Sequence, residues 1–121
     1  MIKVKKSLKT LLPTLKEKKR YLAFEILSKE KIKDFKLVSD EINSKNLEFL
    51  GQLGVAKAGI QPLKETWNQE KQRGIIKVGH KHVDELKASL SLINNIGNKE
   101  VIVKTVGVSG IIKKAKERYL K

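Results

Sequence analysis

From residue 20 onward the apolar positions follow two rhythms. "RYLAFEILS" (20–28) alternates: Leu22, Phe24 and Ile26 fall on one side, Tyr21, Ala23 and Leu27 on the other, with Glu25 interrupting the second set. Apolar groups on both faces predict an interior β-strand. From Lys33 to about Leu50 the spacing lengthens to three and four, with Phe35, Val38, Ile42 and Phe49 on one stripe and Lys36, Asp40, Glu41, Lys45 and Glu48 largely elsewhere. That pattern predicts an amphipathic helix ending near Gly51 or Gly54. "VAKAGIQPLKETWNQEKQRGIIKVG" (55–79) then reads as a hairpin: Val55 to Trp67 extended, "NQEKQRG" as the turn and "IIKV" as the return. Pro62 has no amide proton to give to a ladder, which places the first arm at an edge or a bulge.

A second helix is predicted from about His82 to Ile96, with Val83, Leu86, Leu90 and Ile93 as its stripe and "NNIGN" as its end. Asp84 and Glu85 stand in its first turn, where the helix dipole favours acids. "EVIVKTVGV" (100–108) offers Val101, Ile102, Val103 and Val106 to both faces, the mark of a central strand. The chain is then expected to turn through Gly107 and Gly110 into a third helix with Ile111, Ile112, Ala115 and Tyr119 as its stripe and Ser109 as its cap. Ahead of all this, "TLLPTLKEKK" has little to bury behind Pro13 and reads as a basic arm.

The order β-α-β-β-α-β-α matches an α+β fold of the ferredoxin-like, or split βαβ, type: one four-stranded antiparallel sheet with two helices on one face. The arm and the third helix are additions. At 121 residues the chain fits one domain, divided as arm (1–19), sandwich (20–108) and C-terminal helix (109–121). Cysteine is absent, which removes disulfides and thiolate metal sites. The N-terminus lacks the apolar run of a signal peptide and no window matches a membrane span, so the expectation is a soluble, cytoplasmic protein with no membrane partner.

Charge sharpens this picture. The net charge is +14, and it is segregated: eight basic groups and one acid in residues 1–20, twelve and ten in 21–98, seven and two in 99–121. A nearly neutral body with two basic ends points to a polyanion. Aromatic residues are only 5% of the chain and "GIIKVG" has none, so a base-stacking sheet is not expected. Contact with the backbone of folded or double-stranded nucleic acid is the better match.

"GVSGIIKKAK" has the elements of an anion site, converging amides around Ser109 and Gly110 at a helix start, and equally those of a capped turn with a solvated basic face. It has neither P-loop nor dinucleotide spacing, and no small-molecule ligand is expected. His80 and His82 precede the second helix, where contact with backbone or phosphate suits them better than a metal. Asp34, Asp40 and Glu41 sit among lysines as on a solvated face, and no set of catalytic side chains is visible. Trp67 with Pro62 reads either as an exposed contact or as the rim of the core.

Taken together, "LLPTLKEKKRYLAFEI" (11–26), "LGVAKAGIQ" (53–61), "QRGIIKVGHKHVDELKASLSLI" (72–93) and "VIVKTVGVSGIIKKAKERYL" (101–120) resemble, in order and spacing, the archaeal ribonuclease P protein component 2 family, which is related to a eukaryotic subunit of the same enzyme. One departure is Ile111, where the pattern leads one to expect a hydroxyl. The resemblance implies an α/β sandwich of the RNA-recognition type, non-catalytic by itself, in the ribonucleoprotein that removes the 5′ leader of precursor tRNA. It places catalysis and magnesium ions on the ribonuclease P RNA, and implies ribonuclease P protein component 3 as a partner, with self-association into a heterotetramer. The expected RNA-binding residues are Lys5, Lys6, Lys9, Lys16, Lys18, Lys19 and Arg20 from the arm, Arg73, His80, Ser109 and Gly110 from the body, and Lys113, Lys114, Lys116 and Arg118 from the C-terminal helix. Two other readings stay open: a protein-interaction scaffold, and a protein-only nuclease dependent on Asp34 or Asp40.

Overall fold

A computed structural model describes residues 18–121; the expected contacts at Lys5, Lys6, Lys9 and Lys16, and the turn at Pro13, lie outside that range. In chain order the elements are β1 (Lys19–Ser28), α1 (Phe35–Ala58), β2 (Gln61–Asn68), β3 (Arg73–Gly79), a 3-10 turn (His80–His82), α2 (Val83–Ser91), β4 (Asn95–Ile96), β5 (Lys99–Ser109) and α3 (Ile112–Ala115), continued by a π turn (Lys116–Leu120). The strands pair antiparallel in the order β2-β3-β1-β5-β4. This is the ferredoxin-like plan with one short strand added, and β1, apolar on both faces, lies at its centre.

Leu22, Phe24 and Ile26 of β1, Ile76 and Val78 of β3, and Val101 and Val103 of β5 pack with Val38 and Ile42 of α1 and Leu86 and Leu90 of α2 in one buried core. The opposite face of the sheet is also covered. Ala23, Ile75 and Leu63 form a second cluster with Ala115, and Tyr21, Val106, Ile112, Tyr119 and Leu120 pack against it. The C-terminal segment is therefore a third layer and not an appendage.

Several expectations need correction. α1 continues to Ala58, broken at Gly51 (φ 74, ψ 170), and takes in Val55–Ala58, which the alternation had assigned to a strand. Its end is set by Gly59 in the left-handed region (φ 62), whose N–H bonds to Val55 O at 3.1 Å, a glycine stop that outweighs those at 51 and 54. Asn46, not Phe49, continues the buried stripe, and Phe49 is 48% exposed. With nine residues α2 spans roughly 14 Å against roughly 24 Å for α1 up to its break. α2 also stops at Ser91 and not at Ile96. Gly97 (φ 55) and Asn98 (φ 32) form a two-residue loop that pairs Ile96 with Lys99, so "NNIGN" makes a small hairpin.

Gly107 lies within β5 and not in a turn. Phe24 pairs with Thr105 while Ala23 pairs with Gly107, so Val106 is the extra residue of a bulge. The bulge resets the alternation, sending Val108 toward the helix face and Val106 toward the C-terminal layer. Ile102 is 64% exposed, so β5 does not bury both faces as the pattern implied.

Candidate nucleic-acid interface

Register gathers the basic residues. Lys19 pairs with Gly79, Arg20 with Val78, and Tyr21 with both Lys77 and Ser109. The start of β1 thus meets the ends of β3 and β5, bringing Lys18, Lys19, Arg20, His80, Ser109 and Gly110 to one end of the sheet. The His80 amide donates to Lys18 O at 2.9 Å, and its Nδ1 lies 3.2 Å from the same carbonyl. Arg20 Nη1 donates to Lys19 O at 3.1 Å, and its guanidinium passes beside Gly110, where an added Cβ would meet Nη1 at 3.6 Å. Lys113, Lys114 and Arg118 are exposed and Lys116 half-buried, because Ala115 is the residue α3 turns into the second core. None of these four has an ion-pair partner among the described residues.

The expected cap is arranged differently. Ser109 Oγ accepts from Ile111 N at 3.2 Å and reaches Ile111 O at 3.1 Å, closing a local turn, while Ile111 stays extended and is itself the N-cap of α3. One more residue remains outside the helix than the stripe implied, so Ile111 is 52% exposed. α3 keeps α geometry for four residues before the π turn, and no side chain caps its start. The charge at this end comes from side chains.

Arg73 does not join them. It starts β3 at the far end of the sheet, donating from Nε to Glu25 Oε2 at 3.1 Å and from Nη1 to Tyr119 O at 3.0 Å. Lys104 Nζ completes the set at 3.3 Å from Glu25 Oε1. These bonds, with Asn68 Nδ2 to Leu120 O at 2.7 Å, hold the C-terminal segment on the sheet. Neither Glu25 nor Lys104 stood out in the sequence, because what joins them to Arg73 is cross-strand register. Lys77 was also missed, although its place between Ile76 and Val78 in an alternating strand was the available signal.

Burial disfavours the charged form of Glu25, but the hydrogen bonds and positive charges of Arg73 and Lys104 outweigh it, holding the carboxyl below its ordinary value of 4.5. A depressed folded-state value contributes stability above the carboxylate range that is lost as pH falls through it. Glu25→Gln should therefore lower the melting temperature at neutral pH and flatten the loss on acidification. Equal acid sensitivity of both proteins would sink this assignment.

Neither Phe24 nor Tyr21 of β1 offers an open stacking face on the sheet. Phe24 is fully buried, 6.2 Å from the Trp67 ring, and Tyr21 packs beneath the C-terminal segment. Trp67, also 5.8 Å from Phe35, closes the rim of the core. His82 Nδ1 lies 3.2 Å from Glu85 Oε1, and no group of three or more potential metal ligands occurs among the described residues. No helix among them is long and apolar enough to cross a membrane.

Asp34 caps α1, its Oδ1 accepting from Lys36 N at 2.9 Å. Asp34→Ala should cost about 1 kcal/mol in urea denaturation, and Asp34→Asn, which caps equally well, only a few tenths. The nuclease reading makes the opposite demand: Asp34→Asn, folded and stable, would abolish an RNA cleavage activity of the isolated chain.

The architecture defines the class: a ferredoxin-like α+β domain, closed on both sheet faces, that presents a cluster of cations at one sheet end. A family model described as the Rpp14/Pop5 family matches residues 20–120, and the chain belongs to that family. It is 39% identical over 112 residues to ribonuclease P protein component 2 of Thermococcus gammatolerans, covering 93% of this chain and 91% of that protein. It is 42% identical over 115 residues to the protein of the same name from Methanocaldococcus jannaschii, covering 93% and 81%. Among solved structures, a chain of the yeast ribonuclease MRP cryo-EM structure superposes with a TM-score of 0.60 at 15% identity, covering 84% of this chain and 90% of that one, a likeness of fold.

Proposed function

We propose that the chain is a protein subunit of ribonuclease P that binds and stabilises the catalytic half of the RNA subunit for removal of the 5′ leader from precursor tRNA. The observation that carries this reading is the convergence of Lys18, Arg20, His80 and the Ser109–Gly110 turn on one sheet end, from which the chain leads into a C-terminal layer whose exposed Lys113, Lys114 and Arg118 have no ion-pair partner among the described residues. Membership in a family whose archaeal relatives bear the name ribonuclease P protein component 2 supports it. Cations grouped this closely neutralise phosphates that folded RNA brings together, so the RNA holds its shape at lower magnesium. The chemistry resides with the RNA and its magnesium ions, and the protein contributes no reacting group. Lys5, Lys6, Lys9 and Lys16 add phosphate-neutralising charge, while Arg73 acts indirectly, by fixing the C-terminal layer. Ribonuclease P protein component 3 is the protein partner, and two such pairs form a heterotetramer.

The test is multiple-turnover cleavage of a precursor tRNA by the cognate RNA subunit at moderate magnesium, with this chain and its component 3 partner present together or each omitted. Cleavage that requires all three is the expected result. Unchanged cleavage without this chain would overturn the proposal and favour a scaffold whose charge serves only solubility.

A further inference from the structure

A second surface lies away from the basic end. Between the N-terminal turn of α1 and the outer edge of β2 runs a groove of about 610 Å³, walled by the Trp67 and Phe35 rings and by Lys33, Lys36 and Lys64. Its volume is that of a pocket for a nucleotide-sized ligand. The groove is on the helix side of the sheet: Trp67 and Phe35 pack on the core that α1 and α2 cover, whereas the C-terminal segment lies on the other face. It is therefore separate from any surface that α3 presents.

Three features point to its occupant. Lys33, Lys36 and Lys64 are exposed and have no ion-pair partner among the described residues; the one acid in the lining, Asp34, already accepts from the Lys36 amide. The local charge is thus positive. Next, the two aromatic rings are tilted by 49° at 5.8 Å, half-buried, and carry apolar area beside those cations. Finally, Trp67 Nε1 is shielded from water and has no hydrogen-bond partner among the described residues, so packing against Phe24 and Phe35 alone sets the orientation of the indole. Aromatic faces with lysines around them suit a flat, π-rich group joined to phosphate. An acidic peptide would satisfy the lysines and leave the rings unused, and the proline at position 62 interrupts the outer edge of β2 as a template for strand addition.

We infer that this groove binds an unpaired nucleotide of single-stranded RNA, its base against Trp67 and Phe35 and its flanking phosphates on Lys33, Lys36 and Lys64. The inference rests on the RNA-binding reading above but uses different residues, so the two can fail separately. Duplex RNA, whose bases are stacked internally, should enter poorly.

Trp67 is the single tryptophan of the chain, so all of its tryptophan emission comes from the wall of this groove. The experiment titrates the full chain with penta-uridylate while following tryptophan fluorescence, in parallel with the Lys33→Ala/Lys36→Ala/Lys64→Ala variant, whose changes are confined to exposed side chains. Saturable quenching is expected, with an apparent Kd raised roughly tenfold in the variant, as loss of about three phosphate contacts implies. Anisotropy of a labelled, folded RNA measured on the same samples reads the basic end. Unchanged Trp67 emission while that RNA still binds would overturn the groove and leave the proposed function standing. Quenching undiminished in the variant, or matched by oligoglutamate, would also overturn it. If the folded RNA fails to bind as well, the broader reading falls with it.

Discussion

The affinity of this chain for its folded RNA should fall roughly a thousandfold when salt is raised from roughly 50 to 200 mM. The size of the effect comes from counterions: each phosphate neutralised by a lysine or arginine releases condensed cations, and about six contacts suffice for a drop of that order. Lys18 and Arg20, with Lys113, Lys114, Lys116 and Arg118 of the C-terminal layer, supply six such groups, none of them in an ion pair among the described residues. Replacing Lys113, Lys114 and Lys116 with alanine should lower the logarithmic salt slope by about 3 and weaken binding to all folded RNAs alike, because phosphate contacts position a protein without reading sequence. Filter binding across a salt series decides it. A slope near zero, or one that the triple variant leaves unchanged, would remove the basic end from the interface.

That surface was legible in the sequence as charge, but not as a place. The excess of lysines at both termini could be counted, whereas their convergence depends on Tyr21 pairing with Lys77 on one side and Ser109 on the other. Register of this kind is set by the whole sheet and is shifted by the bulge at Val106, for which Gly107 was the only local sign. Elements with strong local periodicity, such as β1 and the first part of α1, were readable because their burial pattern lies within one segment. Helix ends were less so, since Gly51, Gly54 and Gly59 compete as stops and only Gly59 both adopts the left-handed conformation and bonds back to the preceding turn. Asn46 illustrates the limit from the other side: a polar side chain at 1% exposure, with neither amide atom paired, cannot be anticipated from apolar spacing. The closure of the second sheet face was the largest feature missed, because Arg73, Asn68 and Gly107 take their meaning from the segment ending at Leu120.

Gly107 offers the sharpest test of that closure. A Cβ at this position would overlap the Tyr119 ring at Oη, Cζ and Cε1. The ring is the far end of a flexible side chain, and it can yield only by rotating about its own torsions. Tyr119 O is held by Arg73 and Leu120 O by Asn68, so the ring must swing away from Val106 and the half-buried apolar cluster around Ala115. Gly107→Ala should therefore cost about 2 kcal/mol in urea denaturation, the ordinary scale for an overpacked site, despite the gain in strand propensity that alanine brings over glycine. The C-terminal segment should also become more susceptible to proteolysis after Lys116 and Arg118. The cause can be isolated by a double-mutant cycle: in a Tyr119→Ala background the ring is gone, and the same Gly107→Ala change should be close to neutral, leaving a coupling of comparable size. If alanine at 107 costs as much without the ring as with it, the strain lies in the bulge itself, and the C-terminal layer is held by Arg73 and Asn68 alone.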